Sequence, residues 1–268
     1  MREWRPLEEE LDAWRAAGRR ASVWWRDDDA TDPTPSLDRL LALANAAGVP
    51  LALAVIPSTA GRDLARRLGE APDGVAVLQH GYAHRNHGPA GAKNIELGDD
   101  RPHRVIAEEL QAGRRRLSED YGGRFQAVMV PPWNRIGPKT LLSLPSLGFR
   151  GLSTYGARPS PGVVPGLFQV NCHVDIMRWR PRREFLGQRN AVDLLTAHLT
   201  ARRTGAADSD EPTGLLTHHL VHDEACWHFL DRLIELLKRS SAIRFLPPAG
   251  PFGPRGGPAA PDHAGGVA

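Results

Sequence analysis

Apolar runs alternate along the chain with segments of helical periodicity. The runs that are typical of buried strands are 21–26, 50–56, 74–79, 126–130 and 214–220, with shorter ones near 150–154, 167–173 and 243–246. Between them, apolar residues recur every three or four positions, as on one face of a helix. The helices predicted in this way are 36–47, 61–69, 102–121, 138–147, 185–203 and 224–239. About eight strands alternating with helices predict a parallel sheet, either closed as a barrel or open and doubly wound.

The two ends of the chain differ from this central pattern. An amphipathic helix is predicted over 7–17, within an N-terminal lead-in that we assign to residues 1–19. The last 21 residues, 248–268, include six Gly and five Pro, a composition that predicts a disordered tail. We therefore expect one catalytic domain over 20–247.

Composition and charge exclude several classes of protein. With 41% hydrophobic and 24% charged residues, the chain is not of a disordered or collagen-like type. Its 34 Lys and Arg against 31 Asp and Glu give a net charge of +3, and the basic residues form only short clusters, which does not favour nucleic acid as a partner. The sequence has no long apolar run and a charged N-terminus, so we expect a cytoplasmic protein with no membrane partner. Two cysteines are too few for a disulfide scaffold or a Cys-rich zinc site.

Residues capable of chemistry collect at the C-terminal ends of the predicted strands. In chain order they are Asp27, Asp28 and Asp29, then His80 and His84, then Trp133 and Asn134, then His173 and Asp175, then His218, His219 and His222. Because the C-terminal ends of parallel strands meet at one edge, where such folds build their sites, we expect a single site there.

A metal site is the first chemistry that these residues suggest. His80 and His84 can lie on one side of a helical turn, and two imidazoles with a carboxylate leave a coordination position open. Gly81 excludes the HExxH type of zinc protease, because a glutamate is needed at that position. One residue of the 27–29 acidic triplet would be a ligand and its neighbour a general base. The alternative to a metal site is that His80 and His84 are surface histidines on a loop and that residues 27–29 form a solvated acidic turn.

The histidines that follow the 214–220 run offer a general acid. Strand alternation directs His218 and His219 to opposite faces, so only one of them can reach the site. That residue would protonate the leaving amine. His218 and His222 also have an i, i+4 spacing, which leaves a second metal site as an alternative.

Residues 20–247 resemble the polysaccharide deacetylase family, the NodB-homology or carbohydrate esterase family 4 type, through five short motifs in a fixed order. The matching segments are Arg26-Asp-Asp-Asp-Ala30, His80-Gly-Tyr-Ala-His84, Val130-Pro131-Pro132-Trp133, Asp175 with Trp179, and Leu216-Thr-His218. This resemblance implies a distorted (β/α) barrel of seven to eight mostly parallel strands. It also implies one bound divalent metal, for which we expect zinc, with cobalt, nickel or iron as alternatives.

The resemblance assigns a role to each matching residue. Asp29, His80 and His84 would hold the metal. Asp28 would be the base and His218 the acid, and a frame shifted by one residue, in which Asp27 is the base, is the alternative. The residues expected to contact substrate are Trp133, whose backbone N–H would bind the oxyanion, Asn134, Arg135, Asp175, Trp179 and Leu216.

One departure from the family pattern affects the expected activity. Val130 stands where the third motif has an arginine that orients the catalytic Asp, and Arg135 or Arg26 would have to replace it. The function expected is hydrolysis of an acetyl group, N-acetyl rather than O-acetyl, from a carbohydrate or small glycoconjugate by a metal-activated water. The alternatives are a non-catalytic carbohydrate-binding descendant and a glycosidase that uses two carboxylates.

Overall fold

The computed structural model describes residues 3–162, 164–248 and 250–252, and its main element is a curled sheet. The strands are β1 Ala21–Ala30, β2 Leu51–Val55, β3 Val75–His80, β4 Phe125–Val130, β5 Gly151–Leu152, β6 Phe168–Gln169, β7 Val174–Asp175, β8 Met177–Arg178, β9 Glu184–Phe185, β10 Thr213–Thr217 and β11 Ile243–Phe245. The helices are α1 Arg5–Ala16, α2 Pro35–Ala47, α3 Arg62–Gly69, α4 His103–Tyr121, α5 Pro138–Ser143, α6 Gln188–Thr204 and α7 Glu224–Arg239. None of the described helices is long and apolar enough to cross a membrane.

The main sheet has the order β6-β5-β4-β3-β2-β1-β10-β7, with β11 added beside the start of β1. All of its strand pairs are parallel. The sheet curls into a half-barrel with the helices outside it, which confirms the predicted distorted (β/α) barrel. The separate β8–β9 pair is antiparallel and was not predicted from the sequence.

Alternation along the strands gives the sheet two buried faces. Trp24, Leu78 and Leu216 belong to a cluster inside the curl, whereas Val23 and Trp25 belong to the large cluster under the helices. Alternate residues of a strand share a face, so the side chains at positions 28, 80 and 218, which follow Trp24, Leu78 and Leu216 by two or four residues, also face the inside of the curl at its C-terminal edge. The fold therefore brings one residue from each of three strands to the same opening.

The ends of the chain are also packed. In α1, within the proposed lead-in, Trp14 is buried, and Trp4 just before the helix stacks on Phe229 with ring centroids 5.4 Å apart. At the other end, Gly250–Phe252 forms a 3-10 turn whose Phe252 ring meets Trp24 edge-on at 5.6 Å. Residues 249 and 253–268 of the proposed tail lie outside the described residues.

Two strand boundaries differ from the prediction in ways that affect the site. Strand β1 continues through all three acids to Ala30, so the acids lie on the strand rather than after it. Strand β10 ends at Thr217, and His219–Val221 forms a 3-10 turn instead of more strand. Both strands therefore end in irregular backbone at the edge where the site lies.

Candidate active site

The first acid of the triplet faces away from the inner cavity. Asp27 is fully buried, and its carboxylate accepts hydrogen bonds from Thr217 Oγ1 at 2.7 Å and from the backbone N–H of His219 at 3.0 Å. Its Oδ1 also lies 2.5 Å from His219 Nδ1. Burial alone would raise the pKa of Asp27 and lower that of His219, but their mutual attraction reverses both shifts. The pair fastens β1 to β10, and this arrangement does not favour the shifted frame in which Asp27 is the base.

The second acid lines the cavity and is paired with an arginine from its own strand. Asp28 is 2% exposed, and its Oδ2 accepts a hydrogen bond from Arg26 Nη2 at 3.0 Å. Arg26 Nε lies 2.8 Å from Oδ1 in ionic contact. The same guanidinium, which is fully buried, donates to Ser153 Oγ at 2.6 Å and to Asn134 Oδ1 at 2.8 Å. Arg26 thus supplies Asp28 with a guanidinium partner, whereas Arg135 donates to the backbone carbonyl of Asn94.

The third acid reaches the cavity through a bulge in β1. Simple alternation would direct Asp29 to the outer face, but the β1–β2 register shifts between Asp27 and Ala30, and Asp29 has φ of +75°. A bulge with a residue in the left-handed region turns its side chain to the other side. The carboxylate then lies 3.1 Å from His80 Nε2 and 3.3 Å from His84 Nε2. Burial would raise the pKa of Asp29, but the hydrogen bond and charge of His80 lower it below its ordinary value.

The two histidines lie on a tight turn and not on the predicted helical turn. Gly81 (φ +54°) and His84 (φ +52°) both have left-handed backbones, and the His80 and His84 rings are 5.1 Å apart. The turn wraps around the buried carboxylate of Glu96, which accepts hydrogen bonds from the backbone N–H groups of Tyr82 at 3.1 Å and Ala83 at 2.7 Å. A Cβ at position 81 would overlap Glu96 Oε2, which explains the glycine where the family has a hydroxyl residue.

The loop that joins His84 to Glu96 is closed at its base. The Asn86 side-chain oxygen accepts hydrogen bonds from the backbone N–H groups of Gly88 at 2.9 Å and Ile95 at 3.0 Å. The backbone N–H of His87 donates to the carbonyl of Ile95 at 2.9 Å. The segment between 87 and 95 therefore leaves and re-enters the fold at nearly the same point.

The Asp29, His80 and His84 group fits a divalent metal. One ligand atom from each residue can be chosen so that all three lie within 4.8 Å of one another. His80 Nδ1 lies 2.9 Å from the carbonyl of Val130, which can only accept, so the ring proton is on Nδ1. In a neutral His80 ring, Nε2 would then carry the lone pair that a metal ligand requires, whereas the hydrogen bond to Asp29 needs a second ring proton, on Nε2, which a metal would replace. Two imidazoles and one carboxylate suit zinc and related ions.

A histidine from β10 faces this group across the cavity. His218 reaches the cavity while His219 is buried on the other face, in agreement with the predicted alternation. His218 Nδ1 is 3.9 Å from Asp175 Oδ1, and its ring meets Trp179 edge-on at 4.5 Å. Asp175 Oδ2 in turn accepts a 2.7 Å hydrogen bond from Trp179 Nε1. Burial raises the pKa of Asp175, against the lowering effects of His218 and of this hydrogen bond.

The cavity between these groups has a volume of about 880 Å³. It is lined by ten of the twelve predicted site residues, namely Asp28, Asp29, His80, His84, Trp133, Asn134, Arg135, Asp175, Trp179 and His218. The other two, Asp27 and Leu216, are fully buried and do not line it. Tyr155 and Trp179 expose 44% and 38% of their surfaces there, which provides aromatic faces for a ligand. Sequence reasoning missed Glu96, Ser153 and Tyr155, since none of them belongs to a recognisable pattern.

The alternative metal site is not formed by the predicted residues. His222 Nε2 accepts a 3.3 Å hydrogen bond from the backbone N–H of His218, so its lone pair is already used. A different cluster, His173 with His198 and Glu211, does bring potential ligand atoms within 4.8 Å of one another. However, His173 Nδ1 accepts from the backbone N–H of Gly214 at 3.0 Å, so a neutral ring has its proton on Nε2.

That protonated nitrogen has no lone pair for a metal. It lies 3.4 Å from Glu211 Oε2, and the Glu211 carboxylate also accepts the backbone N–H groups of Arg158 and Asn171, both at 2.9 Å. Burial lowers the pKa of the neighbouring His198 to about 3, with His173 and Arg202 adding to the effect. We interpret the cluster as a buried hydrogen-bonded network that supports the fold.

Comparison with known proteins identifies the fold. No protein-family model matches the sequence, and a search of curated proteins finds no match. Solved structures do match over most of the chain. A protein from Mycobacterium smegmatis described as a polysaccharide deacetylase has a TM-score of 0.58 at 19% identity, over 84% of this chain and 86% of that one.

Two further structures show the range of proteins with this fold. A family 4 acetyl xylan esterase from Clostridium thermocellum in complex with a cobalt ion has a TM-score of 0.51 at 16% identity, over 84% of this chain and 87% of that one. A carbohydrate esterase family 4 pseudoenzyme from Bacillus anthracis has a TM-score of 0.53 at 13% identity, over 85% of this chain and 64% of that one. The chain thus has the fold of the carbohydrate esterase family 4 deacetylases.

Proposed function

We propose that this chain is a metal-dependent hydrolase that removes an acetyl group from an N-acetylated carbohydrate or small glycoconjugate. The observation that carries the proposal is the convergence of five side chains on one cavity. They are Asp29, His80 and His84 as a metal-binding group, Asp28 as a buried carboxylate, and His218. Such a set contains the ligands, base and acid that amide hydrolysis needs.

Asp29, His80 and His84 would hold the metal, for which we expect zinc. A divalent cation bound there supplies a Lewis acid that polarises the acyl oxygen and lowers the pKa of water. Asp28 accepts a proton from the attacking water, and Arg26 keeps its carboxylate oriented.

His218 donates a proton to the departing nitrogen, and Asp175 and Trp179 support its ring. Without a proton the leaving group would be an amide anion, so a positioned acid lowers the barrier. The backbone N–H of Trp133 is our candidate for binding the oxyanion. Trp133 and Asn134 have left-handed backbones, with φ of +55° and +56°, and this conformation sets the direction of their backbone groups.

The alternative of a non-catalytic carbohydrate-binding protein rested on the missing arginine of the third motif. Arg26 supplies a guanidinium to Asp28 from β1, which removes that reason. A two-carboxylate glycosidase is not favoured either, because Asp29 is held by two histidines and Asp28 by Arg26.

Metal content and acetate release test the proposal together. We expect about one equivalent of zinc or a similar ion per chain in protein without a His tag, and metal-dependent release of acetate from aryl acetates and N-acetylated chitooligosaccharides. His80→Ala should lose both the metal and the activity. The matched control is His87→Ala, which removes an exposed imidazole from the same loop and should change neither.

Each outcome separates the alternatives. Activity that survives both chelation and His80→Ala would contradict the metal mechanism and favour a carboxylate-based hydrolase. Protein that takes up no metal even after incubation with zinc, yet binds chitooligosaccharides, would support the non-catalytic alternative. Loss of metal in His87→Ala as well would show that the ligand assignment is wrong.

A further inference from the structure

The acidic groups of the cavity all have partners within its own wall. Asp28 pairs with Arg26, and Asp29 contacts the two imidazoles of the metal-binding group. Asp175 accepts hydrogen bonds from Trp179 Nε1 at 2.7 Å and from the backbone N–H of Met177 at 2.9 Å. Among these acids only Asp28 forms an ion pair with an arginine, whereas Asp29 and Asp175 contact imidazole, indole and backbone N–H groups.

Four cationic side chains line the same cavity, namely Lys93, Arg135, Arg180 and Arg183. Arg135 donates to the backbone carbonyl of Asn94 at 2.8 Å, which is a neutral partner. Within the described part of the chain, none of the four forms an ion pair with a carboxylate. With Asp28 paired to Arg26, these four cations outnumber the two remaining acids of the cavity lining, Asp29 and Asp175.

The two arginines at 180 and 183 lie on the loop of the β8–β9 hairpin. The only acid of this hairpin, Glu184, is already paired with Arg178 at 3.1 Å. The hairpin is fastened over the site because Trp179, at its start, bonds to Asp175 and contacts His218. The Arg180 and Arg183 guanidinium groups, which form no ion pair among the described residues, therefore line the same cavity as the proposed general acid. Guanidinium groups bind carboxylate and phosphate in a bidentate manner.

We propose that the substrate carries a negatively charged group, a carboxylate or a phosphate, which Arg180 and Arg183 bind together with Lys93. The proposal rests on the proposed deacetylase function for the position of the acetyl group, and it adds the charge class of the substrate. The anionic group binds at the rim while the acetyl group reaches the metal-binding residues.

Binding of three matched ligands to zinc-loaded protein tests this charge preference without requiring turnover. The ligands are neutral 4-acetamidobenzamide, 4-acetamidobenzoate and 4-acetamidophenyl phosphate, which share the acetamide and differ in the charged group. Each contact between exposed charges raises the affinity only slightly. We therefore expect the tighter-binding of the two anionic ligands to bind about tenfold more tightly than the neutral amide at low ionic strength. Added salt should reduce the ratio, because it screens such contacts.

Variants of one loop locate the effect. The double variant Arg180→Gln/Arg183→Gln should reduce the ratio of anion to amide affinity to within about twofold of one. Arg182→Gln removes one positive charge from the same loop, against two in the double variant, at an exposed position that does not line the cavity, and should keep the wild-type ratio. The carboxylate and phosphate ligands separate the two sources of negative charge.

The outcomes distinguish this inference from the proposed function. Anions that bind no better than the amide, or a preference that Arg182→Gln removes as strongly as the double variant, would overturn the inference. Hydrolysis of neutral aryl acetates tests the deacetylase function separately, so a failure of the charge preference is distinguishable from a failure of the deacetylase function.

Discussion

The buried ion pair between Arg26 and Asp28 leads to a specific prediction for Arg26→Met. Methionine is unbranched and of similar length, so it fills most of the space while removing the guanidinium. The Asp28 carboxyl group, which is 2% exposed, then loses its cationic partner, and Ser153 and Asn134 each lose a hydrogen bond. The substitution therefore separates the loss of charge pairing from the loss of volume.

The expected magnitudes follow from the burial of both partners. Removing one member of a buried ion pair costs about 3–5 kcal/mol in the free energy of unfolding, because an uncompensated charge remains. A positioned general base contributes a factor of about 10²–10⁴, and we expect kcat to fall about 100-fold as Asp28 loses its orientation. KM and metal content should change little, since Arg26 contacts neither ligands nor the cavity.

A double-mutant cycle isolates the pair. Urea unfolding of wild type, Arg26→Met, Asp28→Asn and the double variant gives the coupling free energy, which we expect to be about 2–3 kcal/mol. Arg26→Lys is the control that keeps the positive charge but lacks the planar guanidinium group with its several N–H donors. It should retain a higher free energy of unfolding than Arg26→Met. The acetate-release assay is run on the same proteins.

Two results would refute the reasoning. A coupling below about 1 kcal/mol is the range of exposed pairs, and it would mean that the buried contact is not significant in solution. A folded Arg26→Met protein with the wild-type kcat would show that Arg26 does not position the base.

Three further predictions concern the surroundings of the site. Gly81→Ala should weaken metal binding at least tenfold, because the new Cβ overlaps Glu96 at a left-handed backbone position, and unchanged zinc affinity would contradict this. Asp27→Asn should lower the free energy of unfolding by about 3–5 kcal/mol, measured by urea titration, because it removes the anionic partner of the buried His219. A loss below about 1 kcal/mol would be the contrary result. Because the pKa of His198 is lowered to about 3, the unfolded chain binds a proton below about pH 6.5 that the folded chain does not. The free energy of unfolding of the metal-free protein should therefore fall on acidification. His198→Gln should reduce the slope of this free energy against pH by about 1.4 kcal/mol per pH unit between pH 6 and 4. Identical slopes for the variant and the wild type would contradict the lowered pKa of His198.

The sequence was informative wherever hydrophobic alternation decided the outcome. The buried runs located the strands, and their common edge brought Asp28, His80 and His218 to one cavity. Strand alternation also predicted that His218 and His219 face opposite sides, and they do, although both follow the last residue of β10. These features follow from burial alone, which a single sequence displays directly.

Other features depend on contacts that no local pattern encodes. Asp29 reaches the cavity only through a bulge, and alternation would have directed it outward. Glu96 is an isolated acid in a loop, so its hydrogen bonds to the 82–83 backbone leave no periodic signal. The strands of the hairpin that carries Arg180 have two residues each, which is too short for a period of two to be visible.

The closed base of the 87–95 loop has a consequence for how this fold can diverge. Since the loop is tied by Asn86 and by the His87–Ile95 backbone bond, its length can change without moving the turn that bears His80 and His84. Lengthening such a loop adds little closure entropy, about 0.6 kcal/mol per doubling. Lys93, which lines the cavity, lies on this excursion. Changes in the length or sequence of this segment can therefore alter what lines the cavity while Asp29, His80 and His84 keep their positions.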